Sequence, residues 1–216
     1  MNLVFLKSLA LTGGDWVIYG LMLCSVAALA VMIERAIVLR LEQRQLDVLS
    51  SALLKGLKTE DIGSLDGIAG RHPGAASRIL KAGLAQARHG AAGVEDHLVA
   101  AGLMEKRHLE RRLLLLGTLG NNAPFVGLFG TVLGVIKAFH DLAQSAAGPE
   151  VVMQGLSEAL VATAVGLFVA IPCVIAYNYL SKKARDILGQ TEALGRMLLA
   201  HIRVEGAASG GGGAAR

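Results

Sequence analysis

Residues Gly155–Leu180 read GLSEALVATAVGLFVAIPCVIAYNYL. From Ala159 to Ser181 the chain carries no Asp, Glu, Lys or Arg, and an α-helix rising about 1.5 Å per residue crosses the hydrocarbon of a bilayer in roughly 20 residues. The stretch therefore reads as a membrane span. Trp16–Ile33 and Leu113–Ile136 are two further blocks without a charge. Over all 216 residues the chain is 53% hydrophobic and 18% charged, with a mean hydropathy of +0.53, where an average soluble domain has roughly 25% charged residues. A collagen, a disordered chain and a small disulfide scaffold are excluded. The reading is an all-α integral membrane protein with three transmembrane helices.

The formal charge of +4 could point to nucleic acid, but its distribution does not. Positions 40 to 112 hold twelve Lys and Arg and positions 182 to 216 hold six, whereas only Lys7 precedes Trp16 and none lies between His140 and Gly155. Positive charge marks the inner side of a membrane, so the N-terminus is expected outside, the long loop inside, the short loop outside and the C-terminus inside. No basic patch is interleaved with stacking aromatics, and no nucleic-acid partner is expected. Ala28, Leu29 and Ala30 give an A-x-A triplet like that of a secretory leader, but the apolar run continues to Ile33 and meets Glu34 and Arg35, so the first helix is read as uncleaved. Cys24 and Cys173 both fall in predicted spans, as small packing residues and not as a disulfide.

The expected organisation is an external segment 1–15, spans at 16–39, 113–139 and 157–180, an inner helical domain over 40–112, an outer loop 140–156, a C-terminal helix 181–205 and a disordered glycine-rich tail 206–216. The first helix runs on past the membrane surface through ERAIVLRLEQRQLDVLSSALLKGLK (34–58). Gly63, Gly67, Gly70, Pro73 and Gly74 are predicted to break any helix between Thr59 and Gly74. A second inner helix is predicted over Ala75–Gly90, and a third over Val94–Arg112 that continues into the membrane block, with a stripe of Val94, Leu98, Leu103, Leu109 and Leu113. That stripe either packs inside the domain or forms a docking surface. Six scattered histidines without partners at ligand spacing predict no metal site, no cofactor-binding run is present, and no catalytic signature is found, so an enzyme is not expected.

Chemistry concentrates in the second and third blocks. Gly117–Phe139 reads GTLGNNAPFVGLFGTVLGVIKAF. Each glycine costs roughly 1 kcal/mol of helix propensity, so Gly127, Gly130 and Gly134 imply close helix packing, Gly130 and Gly134 at G-x-x-x-G spacing. Pro124 is expected to bend this helix and release a carbonyl. In the third block Glu158, Ala162, Gly166 and Ala170 recur every four residues as a ridge of small residues with a carboxylate at its outer end, facing protein. An acid at such depth costs a few kcal/mol unless paired, hydrated or protonated, which suits proton uptake and release. Its alternative role is to cap the start of a helix. Thr131 and Thr163 are the inner threonines of these blocks, and each could simply bond the carbonyl four residues back.

The runs GLFGTVLGVIKAF (Gly127–Phe139) and SEALVATAVGLFVAIPCVIAYN (Ser157–Asn178) resemble the signature segments of the ExbB/TolQ/MotA proton-channel family, nearest to ExbB and then TolQ. The likeness is strongest over 113–180. The MotA-type stators fit less well, because they have a fourth span. The resemblance implies an inner-membrane pentamer around the single spans of an ExbD-like or TolR-like subunit, whose Asp carries the proton, and a TonB-like or TolA-like protein that receives the work. It places Thr131 and Thr163 on the lumen and Glu158 near its outer opening. Glu34 and Arg35 close the first span at the inner surface, where Arg can meet anionic lipid or a partner. Cys173 stands where family members often carry Ala. The service is either energised import across an outer membrane or, as in TolQ, envelope maintenance; a non-conducting membrane scaffold is the alternative from another class.

Overall fold

The computed structural model describes residues 12–57, 62–144 and 149–211. The described residues form six α-helices and one short 3-10 turn, with no strand among them: α1 Asp15–Gly56, α2 Ile62–Arg71, α3 Ala75–Leu84, the turn Ala87–His89, α4 Gly90–Leu109, α5 Leu113–Gln144 and α6 Pro149–Gly211. Three of them, α1, α5 and α6, are long and apolar enough to cross a membrane. The chain is thus an all-helical integral membrane protein. Each of these helices outlasts its apolar block, because polar residues continue an i to i−4 ladder in water as readily as in lipid. Hydropathy marks the span and not the helix end.

The chain divides into two compact units. The first takes the chain up to Glu34 together with Arg112–Tyr179, and holds the apolar stretches of α1, α5 and α6. Here α5 and α6 run antiparallel, with Gly120 against Val174, Gly127 against Ala162 and Gly166, Gly134 against Ala159, and Ala138 against Gly155. A Cβ on Gly127 would stand 2.7 Å from the Ala162 carbonyl oxygen, and one on Gly166 would stand 2.7 Å from that of Ala123. Only glycine permits backbones this close. The start of α1 adds to the seam, with Val17 against Gly130 and the Trp16 ring edge-on to Phe129 at 6.4 Å. On their outer faces, Phe125, Leu128, Val132, Phe168, Ile171 and Ile175 are exposed. Pro124 and Pro172 both lie inside their helices, which continue through them.

The second unit takes Arg35–Arg111 and the chain from Leu180 onward. Its core repeats at helical spacing: Leu39, Leu46, Leu49 and Leu53 on α1, and Ala184, Ile187, Thr191, Leu194, Leu198 and Ile202 on α6, are buried with Ile79, Leu80 and Val94. Each such Leu or Ile contributes about 1.5–3 kcal/mol by leaving water. Ion pairs bind the helices across this core. Arg78 of α3 donates through Nε and Nη2 to the two carboxylate oxygens of Glu105 on α4, at 2.6 and 2.7 Å. Glu42 of α1 accepts the Ala75 N–H at 2.7 Å, at the start of α3.

Several expectations are corrected here. The glycine-rich stretch after Thr59 does not stay irregular, since α2 occupies Ile62–Arg71; Ala69 is fully buried and its carbonyl accepts the Ser77 hydroxyl, so packing against α3 offsets the weak propensity. The second inner helix ends at Leu84 instead of Gly90, where the chain tightens into the 3-10 turn. The third does not run into the membrane block: α4 ends at Leu109 and α5 begins at Leu113, separated by Arg112 at φ +63°. Of its stripe, Val94 and Leu109 are buried but Leu103 is 62% exposed. Within 140–156 the described residues are helical, and α6 continues to Gly211 into the expected tail. Residues 1–11, 58–61, 145–148 and 212–216, with most of the expected external segment and the last part of the expected tail, lie outside the described residues.

Candidate functional site

Two hydroxyls of the first unit meet on the α5–α6 seam. Thr131 of α5 and Thr163 of α6 are hydrogen-bonded to each other through their hydroxyls. The Thr131 hydroxyl also reaches the Ala159 carbonyl at 3.1 Å and the Gly127 carbonyl, four residues back, at 3.3 Å. Both threonines are half-buried. The pair stands where Gly127, Ala162 and Gly166 bring the backbones together, since small residues on one turn let the hydroxyls of the adjoining turn meet. Two hydroxyls offer two protons and several lone pairs, so the pair can keep its mutual bond and still accept a water or a partner's acid.

Glu158 lies one turn from Ala162 on α6, exposed, and accepts a 3.1 Å hydrogen bond from Gln154. It does not cap the helix, because α6 begins nine residues earlier, with Glu150 as the acid of its first turn. Glu158 borders a cavity of about 210 Å³ lined also by Gly134, Gly155 and Ala159 and by Asp15, Lys137 and Asp141. All three long helices contribute to this cavity. The predicted residues Glu158, Ala162, Gly166, Thr131 and Thr163 thus lie along one seam, and Ala170 continues it as a buried residue.

Glu34 and Arg35 do not share one environment. Glu34 accepts an ion-pair bond from Arg112, half exposed. Arg35 is 6% exposed and its Nη1 donates to the His108 carbonyl at 3.4 Å, so this cation is engaged within its own unit rather than held out to lipid. Sequence reasoning missed Asp15, Lys137 and Asp141 as one group, and missed Arg78 with Glu105. Asp15 stands on a different helix far back in the chain, and Arg78 and Glu105 are 27 residues apart on separate helices, so no local spacing joins them; only a lone Lys at the edge of an apolar block hinted at Lys137.

Residues 72–193, more than half of the chain, match the model of the MotA/TolQ/ExbB proton channel family. The chain belongs to this family. Its members form proton channels and are not a class of enzyme. Among the relatives, the Tol-Pal system protein TolQ of Pseudomonas aeruginosa is 34% identical over 185 residues, 79% of each chain. The biopolymer transport protein ExbB of Aquifex aeolicus is 43% identical over 90 residues, which are 41% of this chain and 61% of that protein. The ExbB of Neisseria gonorrhoeae is 40% identical over 99 residues, 45% of this chain and 44% of its own. This chain therefore spans only about half the length of those ExbB relatives.

Proposed function

We propose that the chain is the channel-forming scaffold of an inner-membrane motor, with its N-terminus outside and its C-terminus inside. In this reading five copies surround the single spans of an ExbD-like or TolR-like subunit. Protons taken up near Glu158 pass the Thr131–Thr163 pair on their way to the partner's membrane acid. The observation that carries the reading is that hydroxyl pair, with Glu158 beyond it, on an otherwise small and apolar seam. A potential of about 150 mV supplies roughly 3.5 kcal/mol per charge, so a few protons per cycle suffice for conformational work on a TonB-like or TolA-like protein.

The test is proton flux into liposomes that hold the full chain with its single-span partner. A channel requires flux that falls when Thr163 is replaced by Leu; a non-conducting scaffold gives none in either case. Energised import of iron chelates is the service proposed first. The even coverage of the TolQ relative, 79% of both chains, favours envelope maintenance as the second. Deletion separates them: lost chelate uptake marks the first, detergent sensitivity and chained cells the second.

A further inference from the structure

The cavity beside Glu158 contains a cation that the proposed route does not use. Lys137 lies on α5 just past the apolar block, four residues before Asp141. Its stem runs along Gly13, where an added Cβ would stand 3.0 Å from Lys137 Cδ and 3.3 Å from Nζ. Gly13 has φ +83°, a conformation that side-chain-bearing residues rarely adopt. Glycine there both turns the chain into α1 and leaves the slot that the lysine fills. The half-buried ammonium is not in a salt bridge with a described residue. Yet Asp15 from α1, Asp141 from α5 and Glu158 from α6 border the same cavity of about 210 Å³.

Acidic residues bordering one hollow raise the local concentration of any cation, and sodium is far more abundant than protons near neutral pH. An ammonium is a compact, strongly hydrated point charge with three donors. Held at the hollow by its own stem, it supplies there the positive charge that a free alkali ion would otherwise bring. A proton requires no such space, since it binds covalently to one oxygen and moves along water. We propose that Lys137 is a tethered counter-ion that closes the mouth of the proton route to sodium and other alkali cations. This inference rests on the conducting function proposed above.

The experiment uses the full chain with its single-span partner in liposomes loaded with a proton-sensitive or a sodium-sensitive dye, under imposed gradients of each ion separately. Unaltered protein should pass protons and not sodium. Lys137→Gln should raise sodium flux by about tenfold, the scale set by removing one charge a few ångströms from the ion, while Lys137→Arg should stay proton-selective. Lys137→Met keeps the stem against Gly13 and should behave as Lys137→Gln does, which covers failure of the latter to assemble. The inference is overturned if the Gln and Met variants remain as selective as the unaltered chain, if the Arg variant admits sodium, or if the unaltered chain itself conducts sodium. Absence of any flux in the unaltered complex overturns the conducting reading and this inference with it.

Discussion

The hydroxyls of Thr131 and Thr163 meet across two closely packed antiparallel helices, and the Thr131 hydroxyl lies 3.1 Å from the carbonyl of Ala159, one turn before Thr163. Neither threonine is confined to bonding its own helix. Their shared position follows from Gly127 and Gly166, whose missing side chains set the separation of the backbones.

Thr163→Val keeps the shape and removes the hydroxyl. On the channel reading, proton flux in liposomes should fall by about tenfold or more, because a half-buried hydrogen-bonding partner goes missing from the route, while the detergent-purified assembly keeps its size. Thr163→Ser should recover most of the flux. Unchanged flux in Thr163→Val would count against the seam as the route.

Gly127→Ala places a methyl group 2.7 Å from the Ala162 carbonyl oxygen. Overpacking of this kind costs about 1–3 kcal/mol, read as a lower melting temperature in detergent. Gly189→Ala is the contrast, because an added Cβ there meets nothing within 4 Å and gains up to about 1 kcal/mol of helix propensity. Equal effects at the two positions would refute the packing argument.

Arg78→Ala leaves Glu105, a buried residue, without its bidentate partner. Loss of that partner should destabilise the second unit by about 1–3 kcal/mol, measured by thermal unfolding. The hydrogen bonds to Glu105, and then its charge with that of Glu42, hold the Arg78 guanidinium above its ordinary value against the opposing effect of burial. Arg78 therefore stays charged at every pH the protein meets, and Arg78→Lys, which keeps charge but not the fork, should recover only part of the loss.

Arg112 sits at φ +63° between α4 and α5. Arg112→Gly relieves about 1 kcal/mol of backbone strain and loses an exposed ion pair to Glu34 worth about 0–1 kcal/mol, so its melting temperature should be nearly unchanged. Arg112→Val, β-branched in a left-handed position, should lower it clearly. A melting temperature for the Gly variant as low as that of the Val variant would show that the ion pair, and not the turn, matters there.

The three spans, their helical character and the glycine and threonine positions were legible in the order of residues, because an unbroken apolar run and a four-residue repeat are properties of one helix alone. Helix ends were less so. The break at Arg112 has no glycine or proline to announce it, and α2 forms through a glycine-rich stretch because Ala69 is buried against its neighbour. Partnership across helices was not legible at all: that Lys137 shares a cavity with Asp15 and Glu158, or that Arg78 grips Glu105, depends on how separate helices pack in space. Hydropathy and periodicity act along the chain, whereas the meeting of distant charges is decided by side-chain volume at the contacts, and only the folded packing contains that.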